Sequence, residues 1–171
     1  METPALEHGS VLVAMDDSTA TWKAVDYVAD LAKTKRNVCV HLLHAAAYPP
    51  ALQESRGAEN PNEEERVEKD LERKQERWEQ GVQSAAARLF DKARAIIERA
   101  GAAPQKIESH VLTLAHREDL IDDILKSAHE FDCRTIVVGR NCFPWFKEVF
   151  VDHLADEISR RASDIAVKVI D

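Results

Sequence analysis

Arg134-Thr135-Ile136-Val137-Val138-Gly139 is the stretch on which the fold of this chain turns. Its β-branched run shows no polar alternation, as in a strand covered on both faces, and Gly139 passes the chain to a loop at the strand's carboxyl end. Open α/β sheets hold their ligands just outside those ends. The residues that follow, Arg140-Asn141-Cys142 and then Asp152-His153, are therefore the first place to look for function.

Working outward, strand-like and helix-like segments alternate. Val11 to Met15 is a short apolar run closed by Asp16-Asp17-Ser18, and Ser18 is placed to cap a helix carrying Trp22, Val25, Val28, Ala29 and Ala32 on one face. Val38 to His44 reads as a second strand, followed by a long exposed loop containing Pro49, Pro50, Gly57 and Pro61. Ile107 to Leu114 reads as a third strand, and Leu120, Ile121, Ile124, Leu125 and Ala128 mark the inner face of the next helix. Thr135 to Gly139 is the fourth strand, Val151, Leu154, Ala155, Ile158 and Ala162 repeat at helical spacing, and Ile165 to Ile170 closes the series. Such alternation predicts a parallel sheet with helices on both faces, because each crossover is right-handed and covers one face.

The segment between the second and third strands is unusual. Asn62 with Glu65 three residues on has the form of a capped helix start, and the periodic pattern runs to Ala100 before Gly101 and Pro104. As one straight helix, residues 63–100 would span about 57 Å, longer than a compact chain of this size can lay against its sheet. A single long helix and a helical hairpin, with Gly81 at the junction, both fit. Ala85, Leu89, Ala93, Ile96, Ile97 and Ala100 form a stripe suited to the core. Residues 63–80 are mostly charged, with Val67, Leu71 and Trp78 along one side. They read as a solvated extension, or as a surface that docks on a protein partner or covers a ligand crevice.

Composition narrows the function classes. The 171 residues carry 23 Lys plus Arg against 31 Asp plus Glu, a formal charge of −8, which repels a phosphate backbone and argues against nucleic acid. Met1 to Pro4 lacks the regions of a signal peptide and no apolar run reaches spanning length, so a soluble cytoplasmic protein is expected, with no membrane partner. The cysteines, Cys39, Cys133 and Cys142, show neither a disulfide framework nor zinc-ligand spacing. His41, His44, His110, His116 and His129 show no ligand spacing with a carboxylate, so no metal site is expected.

Val11 to Ser18 is similar to the opening strand of universal stress proteins, which typically runs into Asp-Gly-Ser; Leu42-Leu43-His44 resembles their second strand and Ile136 to Gly139 their fourth. On those residues the chain resembles that family over nearly its whole length. The resemblance implies a single Rossmann-like α/β domain over residues 1–171, with a five-stranded parallel sheet in the order 3-2-1-4-5 and helices on both faces. Within it lie a strand-helix-strand unit (9–44), a loop (45–62), the long helical insertion after strand 2 (63–100) and a C-terminal α/β half (107–171). Pattern alone leaves the order 2-1-3-4-5 open.

Many members of that family bind ATP or AMP through Gly-x-x-Gly, nine residues, then Gly and a hydroxyl residue. The glycines let backbone amides reach phosphate oxygens, and a helix N-terminus favours the anion. Here Gly139 holds the first position, but Cys142, Asp152 and His153 stand at the other three. A carboxylate at Asp152 would face phosphate, a repulsion of roughly 1 kcal/mol in water at about 4 Å and several times that when partly buried. His153 could offset part of that charge if protonated. Carried over by position, Asp16 matches the acid that binds the sugar or base, and Ala14, Met15, Ala45, Val138 and Gly139 match the lining of the adenine pocket. Phe143, Trp145 and Phe146 either close over that pocket or pack against the long helix or another subunit, with packing preferred.

Two enzyme-like readings are weaker. Asp16-Asp17 resembles the Mg²⁺-binding pair of phosphoryl-receiver domains, but no acceptor Asp follows the third strand, where Thr113-Leu114-Ala115-His116 stands. Cys142 and His153 could pair as thiol and base, but no signature marks Cys142 as a nucleophile. The expectation is a non-catalytic stress-response module without cofactor, acting through partner contacts and a homodimer built on the final strand. The alternative is a sensor that holds ATP or AMP by altered contacts.

Overall fold

The computed structural model describes residues 9–35, 37–53, 57–148 and 154–171. Five parallel strands, β1 (Ser10–Met15), β2 (Cys39–Ala47), β3 (Ile107–Leu114), β4 (Cys133–Gly139) and β5 (Ala166–Ile170), form one sheet in the order β3-β2-β1-β4-β5. The helices are α1 (Thr19–Thr34), α2 (Pro61–Arg99), α3 (Leu120–Glu130) and α4 (Leu154–Arg161). Short 3-10 turns at Pro50–Leu52, Pro104–Lys106, Arg117–Asp119 and Pro144–Glu148 join them.

Side chains alternate across the pleat, so one strand feeds two cores. Val11, Val13 and Met15 of β1, with Val40, Leu42 and Val137, pack against Ala24, Val25 and Val28 of α1 and against Ala86, Phe90, Ala93 and Ile97 of α2. Leu12 and Ala14, with Leu43, Ile136 and Val138, pack against Leu120, Ile121 and Ile124 of α3 and Leu154, Ala155 and Ile158 of α4. The central strands are buried on both faces, which is why they read as unbroken apolar runs.

The insertion is one continuous helix of 39 residues, about 58 Å long, and it passes through Gly81 without a break. Its N-cap is Asn60, whose side chain accepts from the amide of Glu63 at 2.9 Å, and Pro61 stands at the first helical position. The expected start at Asn62 is thus displaced by two residues. At the other end the Gly101 amide bonds the Glu98 carbonyl (2.9 Å) and the Ala102 amide the Ile97 carbonyl (3.3 Å), with Gly101 at φ +119°. That is a Schellman ending, which favours glycine at this position.

The buried face of α2 is Ala86, Phe90, Ala93 and Ile97; Leu89, Ile96 and Ala100 flank it and Ala85 is exposed, so the expected stripe is rotated. Strand β2 also runs three residues beyond His44, with Ala45, Ala46 and Ala47 opposite Leu112, Thr113 and Leu114. Ser18 is the N-cap residue of α1, yet its side chain makes no cap hydrogen bond. The hydroxyl is committed to Asp16 instead. Val151, expected on the last helix, lies outside the described residues.

In its middle portion α2 is tied down. Trp78 stacks on Tyr48 with ring centroids 4.6 Å apart, the Tyr48 hydroxyl donates to Glu79, and Gln75 Nε2 donates to the Leu52 carbonyl at 2.7 Å. The helix therefore covers the segment that follows β2. Toward its start the helix is largely exposed and laced with i,i+4 pairs, Lys69 to Glu65 at 2.7 Å and Lys74 to Asp70 at 2.9 Å.

Candidate functional site

The carboxyl ends of β1 and β4 are closed by Asp16. Its side chain is 6% exposed and accepts hydrogen bonds from four donors. Oδ1 takes the Ser18 amide (2.9 Å), the Ser18 hydroxyl (2.5 Å) and the Thr21 hydroxyl (2.8 Å). Oδ2 takes the amide of Phe143 at 2.6 Å, across 127 positions of chain. The Ser18 contact is a local Asx turn of the kind that Asp forms two residues ahead, and Thr21 Oγ1 also accepts from the Asp16 amide at 2.8 Å. Burial by itself would raise the carboxyl pKa, but these donated bonds outweigh it and hold Asp16 below its ordinary range.

The loop after β4 folds inward to reach that carboxylate. The Cys142 amide bonds the Gly139 carbonyl (3.1 Å), Arg140 bonds the Ile170 carbonyl of β5 (2.9 Å), and Phe143 takes φ +54°. A left-handed residue other than glycine costs about 1–2 kcal/mol, whereas burying a Phe side chain contributes about 1.5–3 kcal/mol. Phe143 is 1% exposed and packs with Phe146 in the α3/α4 core, so burial outweighs the strain. The expected packing of these two rings against the long helix or another subunit is corrected: they pack on the opposite face of the sheet, against α3 and α4 of the same chain. Trp145 is half-buried and edge-on to Phe143, with centroids 5.9 Å apart.

Cys142 is 2% exposed, with Sγ 3.3 Å from the Thr21 hydroxyl and 3.7 Å from that of Ser18. Burial pushes its thiol pKa up, the opposite of what a nucleophile needs. Gly139 has a packing role of its own, since a Cβ there would lie 2.6 Å from the carbonyl oxygen of Ala20 at the start of α1.

Of the residues matched to the family's nucleotide site, Ala14, Met15 and Val138 are wholly buried in the two cores, and Asp16 and Ala45 border a crevice. That crevice, about 380 Å³, lies between Asp17, His44, Ala47 and Arg117, with Pro144 and Trp145 as one wall. Gly139 and Cys142 form the closed side just described. Asp152 and His153 lie outside the described residues. A larger cavity of about 620 Å³ opens at the opposite ends of β4 and β5, beside Tyr27, Arg134, Asp164 and Lys168, away from every position matched from sequence.

The histidines divide. His44 bonds the Met15 carbonyl through Nδ1 (2.9 Å) and His129 pairs with Asp164 (3.6 Å). His41 and His110 lie 3.0 Å apart, and the expectation that no carboxylate accompanies them is corrected by Glu108, whose Oε2 is 3.5 Å from His41 and 3.7 Å from His110. The signal was present in Glu108-Ser109-His110, where alternation places both ends on one face of a strand. What could not be read was the register that sets His41 opposite Glu108.

The profile of the universal stress protein family matches residues 8–164, and the chain belongs to that family. No curated relative matches. Among solved structures, a universal stress protein from Burkholderia pseudomallei is similar at 20% identity, over 98% of each chain, with a TM-score of 0.59. One in complex with cAMP is similar at 19% identity, over 95% of this chain and 97% of the other, with a TM-score of 0.58. The protein from Archaeoglobus fulgidus in complex with dAMP is similar at 20% identity, over 97% of this chain and all (100%) of the other, with a TM-score of 0.53. At these identities the likeness establishes the fold. Among the described residues, no helix is long and apolar enough to cross a membrane.

Proposed function

We propose that this protein is a non-catalytic, cytoplasmic member of the family that has given up the phosphate site and acts as a single-domain module through dimerisation and partner contacts. The observation that carries this reading is the use made of the β4 loop amides. A phosphate needs free N–H groups at a loop or helix N-terminus, whereas here Arg140 bonds Ile170, Cys142 bonds Gly139 and Phe143 bonds Asp16. Asp16 is occupied in turn by Ser18 and Thr21, so it offers neither a free sugar contact nor an open Mg²⁺ ligand. The strand β5 lies at the sheet edge, with Val167, Val169 and Ile170 half-buried, and suits pairing with a second copy about a two-fold axis.

Calorimetric titration with Mg-ATP tests this. The protein should release no heat of binding at micromolar nucleotide, and the combined Cys142→Gly, Asp152→Gly and His153→Ser variant should gain measurable affinity. Micromolar binding by the unmodified protein would refute the reading.

One observation favours the alternative. The crevice bordered by Asp16, Ala45 and Trp145 has the small volume of a nucleoside-sized pocket, and two similar proteins are complexed with adenine mononucleotides. A sensor that retains adenosine, AMP or, with altered contacts, ATP would use this crevice, with Trp145 as its stacking wall. AMP should then quench Trp145 fluorescence, and mass spectrometry of the denatured protein should reveal a co-purified nucleotide.

A further inference from the structure

We propose that His41, Glu108 and His110 form a binding site for a divalent transition-metal ion of the zinc class on the β2–β3 face of the sheet, remote from the nucleotide-site positions. The ligand atoms, His41 Nδ1, His110 Nε2 and Glu108 Oε2, lie within 4.8 Å of one another. The separations are 3.0 Å between the imidazoles and 3.5 and 3.7 Å from each to the carboxylate. Zinc bonds of about 2.0–2.1 Å to nitrogen and oxygen at tetrahedral angles place neighbouring ligand atoms about 3.3 Å apart. The three atoms thus already outline one face of a coordination tetrahedron, and an ion would require shifts of only a few tenths of an ångström.

The scaffold is rigid. His41 stands opposite Glu108 in the parallel β2–β3 ladder, with His110 one side-chain repeat further along the same face. Phe131, at the end of α3, stacks on both imidazoles, with centroids 3.9 Å from His110 and 4.9 Å from His41 and planes within 18° and 1°. It restricts the turning of the rings and so pre-sets their nitrogens. Two imidazoles and one carboxylate suit Zn²⁺, Co²⁺ or Ni²⁺, not Mg²⁺ or Ca²⁺, which prefer all-oxygen shells. Glu108 is exposed, so solvent can reach the fourth position. Without a metal, the same groups make an imidazole–imidazole hydrogen bond flanked by a carboxylate.

The experiment uses the full chain stripped with a chelator, titrated with Zn²⁺ by calorimetry and with Co²⁺ by absorption. The expected result is one ion per chain and the intense visible bands of tetrahedral Co²⁺. Glu108→Gln, an exposed change that leaves the packing intact, should weaken binding by roughly tenfold or more, as should His110→Ala, while His129→Ala should leave it unchanged. Circular dichroism establishes that each variant is folded. Absence of Zn²⁺ binding at micromolar concentration, or binding that survives both Glu108→Gln and His110→Ala, would overturn the proposal.

Discussion

Replacing Asp16 by alanine removes both acceptor oxygens and strands four donors, of which the buried Phe143 amide has no rotational freedom to find another. An unpaired buried N–H costs about 1–3 kcal/mol, and each lost bond to a charged acceptor about 1.5–3 kcal/mol. The Ser18 and Thr21 hydroxyls can turn toward other partners, which brings the expected total to about 3–5 kcal/mol. Measured against a domain stability of about 5–15 kcal/mol, that is a large fraction. Asp16→Asn keeps one acceptor but turns an NH₂ toward the donors, and should cost about half as much. Proton linkage supplies a separate signature. The carboxyl pKa is lower folded than unfolded, so its contribution is present above the unfolded value of about 3.9 and is lost as pH falls through the folded value. Urea unfolding of parent, Ala and Asn forms, from neutral pH to below about pH 4, reads both effects, and the Asn form should lose less stability on acidification. A midpoint for Asp16→Ala equal to the parent's, or identical acid dependence in parent and Asn forms, would refute the argument.

Gly139→Ala should destabilise by about 1–3 kcal/mol in thermal or urea unfolding even without nucleotide, because the new methyl meets the Ala20 backbone, which cannot swing aside. Asn60→Ala should lower stability by about 0.5–2 kcal/mol by leaving the Glu63 amide uncapped, with a detectable loss of far-ultraviolet helix signal. Light scattering should report a homodimer at micromolar concentration. Val167→Pro, which removes an edge-strand donor, should yield a folded monomer, and a folded dimer would exclude β5 as the interface.

What was legible in the chain was what repeats locally. Ile136 to Val138, Val11 to Met15 and the Leu120 to Ala128 face are written in runs and periods, and the structure places them as strand, strand and helix. The end of β2 is not marked in the chain because Ala45 to Ala47 has little strand propensity; pairing with Leu112 to Leu114 imposes the conformation. The helix start expected at Asn62 lies two residues late because Asn62 with Glu65 and Asn60 with Glu63 carry the same local pattern, and the structure uses Asn60 before Pro61. The Asp16–Phe143 bond and the approach of His41 to Glu108 were out of reach, since each joins distant segments through sheet order and register. The family resemblance pointed to the loop after Gly139, but only the fold shows the Arg140, Cys142 and Phe143 amides bonded to Ile170, Gly139 and Asp16.

The long helix has one further consequence, for how this molecule opens. Its final turns are welded into the core through Phe90, Ala93 and Ile97, its middle is clasped by Tyr48 against Trp78 and by the Leu52 carbonyl against Gln75, and its first turns rest largely on their own backbone bonds and capping. Amide protons along this one rod will therefore exchange in a gradient, fastest toward Pro61 and slowest toward Arg99, with a step where Trp78 meets Tyr48. Because the helix is continuous through Gly81, anything that grips its outer end holds a lever whose fulcrum is the Tyr48–Trp78 stack and whose short arm lies against the sheet.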